Sequence, residues 1–332
     1  MPRQVTLTHM RIAFVGKGGS GKTTLSALFS QHIKDKAPVL VIDADLNMHL
    51  PNLLGFQEIP PEMHMSHPSA VKTIKSYLRG ANEQIKELEH FRKTTPPAKG
   101  SRFVVLHNPN DPILQQFSVG DPHFRLMVVG TYDTDDIGAC CYHNNLAILE
   151  NVLSHLIDIR GVLVTDMVAG VDAFANTLHA QFDMLVLAVE PTQRGIAVYN
   201  QYQKLADEAD VGDSLFVVGN KIRNAVDKEF ISRHIPSARL LGHFGDSEYV
   251  RSKDQEGGML NVAMLEPENK ETLQTIASKL LSIQPNYTAR LQRLYNLHRR
   301  YVAQDFIRER FGDLTNQIDD SFNLEIFINE YA

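Results

Sequence analysis

The stretch Arg11-Ile12-Ala13-Phe14-Val15-Gly16-Lys17-Gly18-Gly19-Ser20-Gly21-Lys22-Thr23-Thr24 decides how this 332-residue chain is read. Its first five residues are short, mostly apolar and followed by glycines, the pattern of a buried strand feeding a turn. A helix is expected to start near Lys22, because Leu25, Leu28, Phe29 and Ile33 recur at helical spacing. The apolar run 38–43 then supplies a second buried strand and completes a βαβ unit. Gly16, Gly21, Lys22 and Thr23 hold the offsets of a phosphate-binding loop. Such a loop needs glycines so that backbone N–H groups converge on an anion, a lysine for the terminal phosphates and a hydroxyl for magnesium. A strand before it and a helix after it separate this reading from a flexible glycine turn. Gly18, Gly19, Ser20 and Thr24 complete the expected nucleotide-contacting set.

Working outward, further strands are expected at 126–129, 161–166, 184–189, 214–220 and 238–241, most of them separated by helix-length segments. The economical fold is α/β: a doubly wound, mostly parallel sheet. Residues 1–9 read as an N-terminal extension and 10–284 as one domain. Within that domain 57–116 fits the repeat poorly and reads as an insertion, where Pro60-Pro61 and Pro96-Pro97 bracket a helical stretch at 69–92. Residues 285–332 read as a helical C-terminal tail. There Leu291, Leu294, Tyr295, Tyr301, Val302 and Phe306 make a patchy apolar stripe beside several arginines.

Composition narrows the class. With 43% hydrophobic and 22% charged residues the chain can bury a large core, and no run approaches the roughly 18 apolar residues that span a bilayer. Residues 1–10 lack the apolar centre of a secretory signal, so a cytoplasmic location and no stable membrane insertion are expected. Cys140 and Cys141 are the only cysteines and are adjacent, which precludes an intrachain disulfide framework and fits a reducing compartment. The formal charge of −6 argues against a broadly basic nucleic-acid surface.

Carboxylates must also approach the γ-phosphate, and strand ends in doubly wound sheets place them beside the phosphate loop. Asp43, Asp45 and Asp166 are the candidates. Asn220, in Val217-Val218-Gly219-Asn220-Lys221, closes a strand with an amide that both donates and accepts; it suits either a nucleotide base or an ordinary turn.

Lys17-Gly18-Gly19 inside the loop resembles the deviant Walker motif of the MinD, ParA, Mrp and nitrogenase iron-protein superfamily. That resemblance implies that Lys17 reaches the nucleotide of a partner subunit, and hence an ATP-dependent homodimer. Asp43-Ala44-Asp45-Leu46-Asn47 resembles the superfamily's switch I, with Leu46 in place of a frequent proline. The resemblance implies that Asp43 serves the magnesium shell and Asp45 orients water. Val162-Leu163-Val164-Thr165-Asp166-Met167-Val168-Ala169-Gly170 resembles Walker B running into switch II, in which the Gly170 amide reports the γ-phosphate. The implied catalytic residues are Lys17, Lys22 and Asp45. The implied magnesium set is Thr23, Asp43 and Asp166, and Gly170 and Asn220 join the ATP-binding set.

Cys141-Tyr142-His143, an apolar helical run, Asp166 to Gly170, Glu190-Pro191 and Gly219-Asn220-Lys221 fall in one order that resembles the CooC-type ATPases over residues 10–281. That family implies nickel insertion into carbon monoxide dehydrogenase, with a Cys-x-Cys pair shared across the dimer. His143 stands here where the second cysteine would be. Cys141 and His143 from two subunits would make a tetrahedral set suited to zinc or nickel at the dimer interface; the plainer reading is of small half-buried residues and a helix start. The implied function is a Mg-ATP-dependent, nucleotide-switched dimeric ATPase serving an unknown client protein. The alternatives are a ParA- or MinD-like positioning ATPase acting on DNA or membrane, and a nucleotide-binding adaptor that does not hydrolyse.

Overall fold

A computed structural model describes residues 10–131, 145–171, 174 and 176–329. Cys140, Cys141 and His143 lie outside the described residues, as does the 1–9 extension. Ten strands form among the described residues: β1 (Met10–Val15), β2 (Val39–Ala44), β3 (Val104–Val105), β4 (Val119–Asp121), β5 (Phe124–Val128), β6 (Leu156–Ile157), β7 (Val162–Met167), β8 (Met184–Val189), β9 (Leu215–Ile222) and β10 (Leu240–Gly245). Eight of them make one sheet in the order β10-β9-β8-β1-β7-β2-β5-β4. Every pairing in it is parallel except β4 with β5.

β1, β2, β7 and β8 are buried at every position, which is why they read as continuous apolar runs. Successive side chains serve opposite faces. Ile12, Phe14, Val39 and Val41 pack with Leu25, Leu28 and Phe29 of helix Lys22–Ile33 and with Leu273 and Ile276 of helix Pro267–Ser282. Ala13, Val15, Leu40 and Ile42 face Leu149 and Val152 of helix Leu146–Ser154, Tyr199 and Tyr202 of helix Gln193–Glu208, and Ile74 and Leu78 of helix Pro68–Arg79. The sheet is therefore wound on both faces, as expected.

Segment 57–116 departs in detail from the sequence-based expectation. Its helix stops at Arg79 rather than continuing to residue 92. Gly80 ends it at a φ of 53°, where an added Cβ would stand 2.6 Å from the Gly100 carbonyl oxygen. A positive φ and a backbone pressed that close leave room only for glycine. Beyond it the chain is irregular but anchored by buried Ile85, Phe91 and Phe103, and β3 pairs with β6 in a separate two-stranded parallel sheet. Neither β3, β6 nor β4 was expected, because runs of two or three residues carry too few positions to show a period.

The tail folds onto its own chain. Leu291 and Tyr295 of helix Tyr287–Val302 and Leu324 and Ile328 of helix Leu324–Asn329 form one cluster with Phe103, Val105, Ile157 and Ile159. Thr94 Oγ1 and His298 Nδ1 lie 2.9 Å apart, and Gln317 Nε2 donates to the His90 carbonyl at 2.9 Å.

Beneath this contact lies a buried ionic network. Arg11 Nε of β1 meets Asp158 Oδ2 at 2.8 Å, and Arg290 Nη2 of the tail meets Asp183 Oδ1 at 2.6 Å. Arg11 also donates to the carbonyls of Leu153 at 2.8 Å and Leu156 at 2.7 Å. Burial alone would raise Asp158, but Arg11 and Arg290 overcome it and hold the carboxyl below its ordinary range. Removing one partner from such a network leaves an uncompensated buried charge. Arg290→Ala is expected to cost on the order of 3 kcal/mol in urea unfolding. It should also make the tail the first segment cut in limited proteolysis; an unchanged unfolding midpoint would show that the network does not hold the tail.

Candidate functional site

Parallel strands bring their C-terminal ends to one edge of the sheet, and there β1, β7 and β2 lie side by side. The register sets Asp166 beside Phe14 on one side and beside Asp43 on the other. The loop that leaves β1 turns at Gly21, whose φ is 88°, and enters helix Lys22–Ile33 directly. An added Cβ on Gly21 would lie 2.2 Å from Asn220 Nδ2, and that amide donates to the Ser20 carbonyl at 2.6 Å. Asn220 thus fastens β9 to the phosphate loop while also lining the cleft above it.

The cleft has a volume of about 430 Å³ and contains Gly18, Gly19, Gly21, Lys22, Thr23, Thr24, Asp45 and Asn220 together. At its floor Lys22 Nζ meets Asp45 Oδ2 at 2.6 Å, both groups being largely buried. Burial works against ionised Asp45, yet Lys22 and the two N–H donors of Asn47 outweigh it and depress its pKa. The Lys22 ammonium is therefore satisfied by the Asp45 carboxylate.

Asp43 is fully buried, and both its oxygens accept backbone N–H groups, from Asp45 and from Leu50, at 3.0 Å each. It fixes the turn that presents Asp45. Asp166 is equally buried, but neither of its oxygens has a hydrogen-bond partner of good geometry. Burial raises its pKa to about 7 against the opposing influence of Lys22 and the Thr23 and Ser26 hydroxyls, and burial followed by Asp166 raises Asp43 as well. A buried carboxylate without a well-formed hydrogen bond, next to Thr23 at the cleft, fits magnesium, which takes one or two carboxylates and otherwise phosphate oxygens and water. Among the described residues no group of three or more His, Cys, Asp or Glu side chains is placed to hold another metal.

Lys17 sits at the rim, 43% exposed, with Nζ 3.5 Å from Glu190 Oε2. Lys221 Nζ takes the other oxygen of Glu190 at 2.9 Å and also donates to the Gly19 carbonyl at 2.6 Å. Burial raises Glu190, but Lys221 and then Lys17 bring it below its ordinary range. The Gly170 amide donates to the Gly16 carbonyl at 3.0 Å, and Tyr202 Oη donates to the Gly170 carbonyl. Gly170 is thus tied to the phosphate loop and to helix Gln193–Glu208.

Sequence reasoning missed the far wall of the cleft, formed by Phe244, Asp246, Ser247, Val250 and Arg251. β10 runs on to Gly245, past the expected end at residue 241, because its period is weak. The available signal was Ser247, which caps helix Glu248–Glu256 by accepting from the Val250 amide at 3.2 Å.

Below switch II, fully buried Glu150 accepts the Thr177 hydroxyl through Oε2 and leaves Oε1 without a partner. Burial lifts Glu150 from 4.5 to about 7, against Thr177 and Lys93. The folded chain therefore keeps a proton that the unfolded chain releases above pH 4.5, so this group's contribution to stability falls as pH rises toward about 7. Glu150→Gln removes that dependence. The variant should gain on the order of 2 kcal/mol relative to the parent between pH 5 and pH 8 in urea unfolding. A gap that does not change with pH would contradict the assignment.

The CobQ/CobB/MinD/ParA nucleotide binding domain, CbiA, matches residues 12–235. The carbon monoxide dehydrogenase accessory protein CooC of Rhodospirillum rubrum is 28% identical over 275 residues, 82% of this chain and 96% of that protein. An uncharacterized ATP-binding protein of Methanocaldococcus jannaschii is 28% identical over 251 residues, 74% of this chain and 88% of its own length. Among solved structures, the McdA–ATP complex from Cyanothece superposes with a TM-score of 0.54 at 15% identity, covering 84% of this chain and 99% of that one. The MinD cell division protein of Aquifex aeolicus gives 0.51 at 18% identity, covering 83% and 99%. At those identities the structures speak for the fold alone. With a phosphate loop between β1 and its helix and the family match spanning most of the sheet, this chain belongs to the CobQ/CobB/MinD/ParA family of nucleotide-binding domains.

Proposed function

We propose that this protein is a cytoplasmic Mg-ATP-dependent ATPase that dimerises around its nucleotides, changes shape between nucleotide states and serves metal insertion into a client enzyme. The observation that carries the engine is the pairing of Lys22 with Asp45 at the cleft floor, beside the unpartnered Asp166. Phosphate arriving at Lys22 competes with Asp45 and frees that carboxylate, so nucleotide binding and the position of switch I are one event. Asp45 then orients the attacking water. Magnesium, held by Thr23 and Asp166 with Asp43 behind them, would supply charge neutralisation across the phosphates. Lys17 leaves Glu190, a half-exposed contact that holds it weakly, and crosses to the partner's nucleotide. The Gly170 amide exchanges the Gly16 carbonyl for the γ-phosphate and carries the state of the nucleotide to Tyr202 and its helix.

Lys17→Ala should lower the hydrolysis rate at least about tenfold with ATP affinity changed less, and Asp45→Asn should lower it about a hundredfold. A Lys17→Ala protein as fast as the parent would sink the trans-lysine step.

The output rests on the similarity to CooC along nearly its whole length and on Cys141 with His143. The ATP-bound dimer is expected to hold zinc or nickel at about half an equivalent per subunit and to lose it on Cys141→Ser, as measured by elemental analysis. A metal-free dimer that shifted DNA in the presence of ATP would place the protein with the positioning ATPases instead.

A further inference from the structure

Away from the nucleotide cleft, the insertion and the tail enclose a second cleft of about 370 Å³. Lys72 and Lys75 enter it from one face of helix Pro68–Arg79, Arg92 from the irregular segment that follows, and Arg310 and Phe311 from tail helix Asp305–Phe311. Glu89 is the single carboxylate lining it. Four cations against one anion is a local excess in a chain whose net charge is −6.

Two of the cations are held against an aromatic ring rather than neutralised by a carboxylate. The Arg92 guanidinium lies 4.1 Å from the centre of the Phe311 ring and that of Arg310 lies 5.2 Å from it. Arg92 Nε is shielded from solvent and has no hydrogen-bond partner. Burial and then Arg92 push Lys75 down to about 8, with no carboxylate opposing the shift. Among the described residues, none of the ion pairs formed elsewhere in the chain involves any of the four. Lys75 and Arg92 are half-buried, and half-buried cations of like sign raise the energy of the folded chain unless an anion joins them.

We propose that this cleft is a binding site for a compact phosphate-bearing polyanion, taken up by Lys72, Lys75, Arg92 and Arg310 where the tail meets the insertion. Guanidinium groups match phosphate oxygens in pairs, and ammonium groups add point charges that need no fixed geometry. The volume suits a small ligand rather than an extended polymer. Because its walls come from residues 68–92 and 310–311, occupancy also clamps the tail to the domain.

The test is acetylation of Lys75 in the full chain at pH 8, followed by peptide mass spectrometry, with pyrophosphate as the probe. A bound anion raises the lysine pKa by about one unit, which at pH 8 slows acetylation of Lys75 about fivefold. Lys72→Gln together with Arg310→Gln, both exposed positions, should abolish that protection while leaving the melting temperature unchanged. Protection that survives the double substitution, or no protection in the parent, overturns the proposal. A glutamate decamer that protects Lys75 at lower concentration than pyrophosphate overturns it too, in favour of an acidic polypeptide.

Discussion

The turn at Gly21 is the constraint on which the rest of this molecule depends. A left-handed backbone there swings the chain from the central strand into its helix, and the Asn220 amide occupies the space a side chain would need. Two distant parts of the chain, the end of β1 and the end of β9, are thereby locked at a single point. The loop's amides can face one anion only because that point does not move, and the buried sheet on either side of β1 keeps it still.

Around that turn the charges are arranged as exchangeable pairs. Lys22 has Asp45, Lys17 and Lys221 share Glu190, and the Gly170 amide has the Gly16 carbonyl. Each is satisfied by groups of the chain itself, and the Lys22–Asp45 pair lines the cleft. Asp166 stands apart as a buried carboxylate without a well-formed hydrogen bond, a costly arrangement unless a cation shares the site.

Much of this was legible along the chain. Gly16, Gly21, Lys22 and Thr23 are local and contiguous, and the strands of the doubly wound sheet announce themselves as apolar runs because they are buried on both faces. Asp43, Asp45 and Asp166 were found because they follow such runs. What escaped was non-local or too short to show a period. Glu190 appeared only as part of an order of motifs, and it is the fold that makes it the counterion of Lys17. For Asp43, what spacing along the chain did not show is that its two oxygens accept backbone amides of the turn that follows.

By itself, then, the sequence determined the α/β class, the phosphate loop and where the sheet's principal strands lie along the chain, since these follow from local spacing and from apolar runs that demand burial on both faces. Tertiary structure alone decided which of the charged residues meet. It brought Arg11 of the first strand and Arg290 of the tail around Asp158 and Asp183, and it folded the tail back onto its own chain. The physical reason is that a buried charge must find an opposite charge wherever the fold can bring one, and that distance in space leaves no period or spacing along the chain to read.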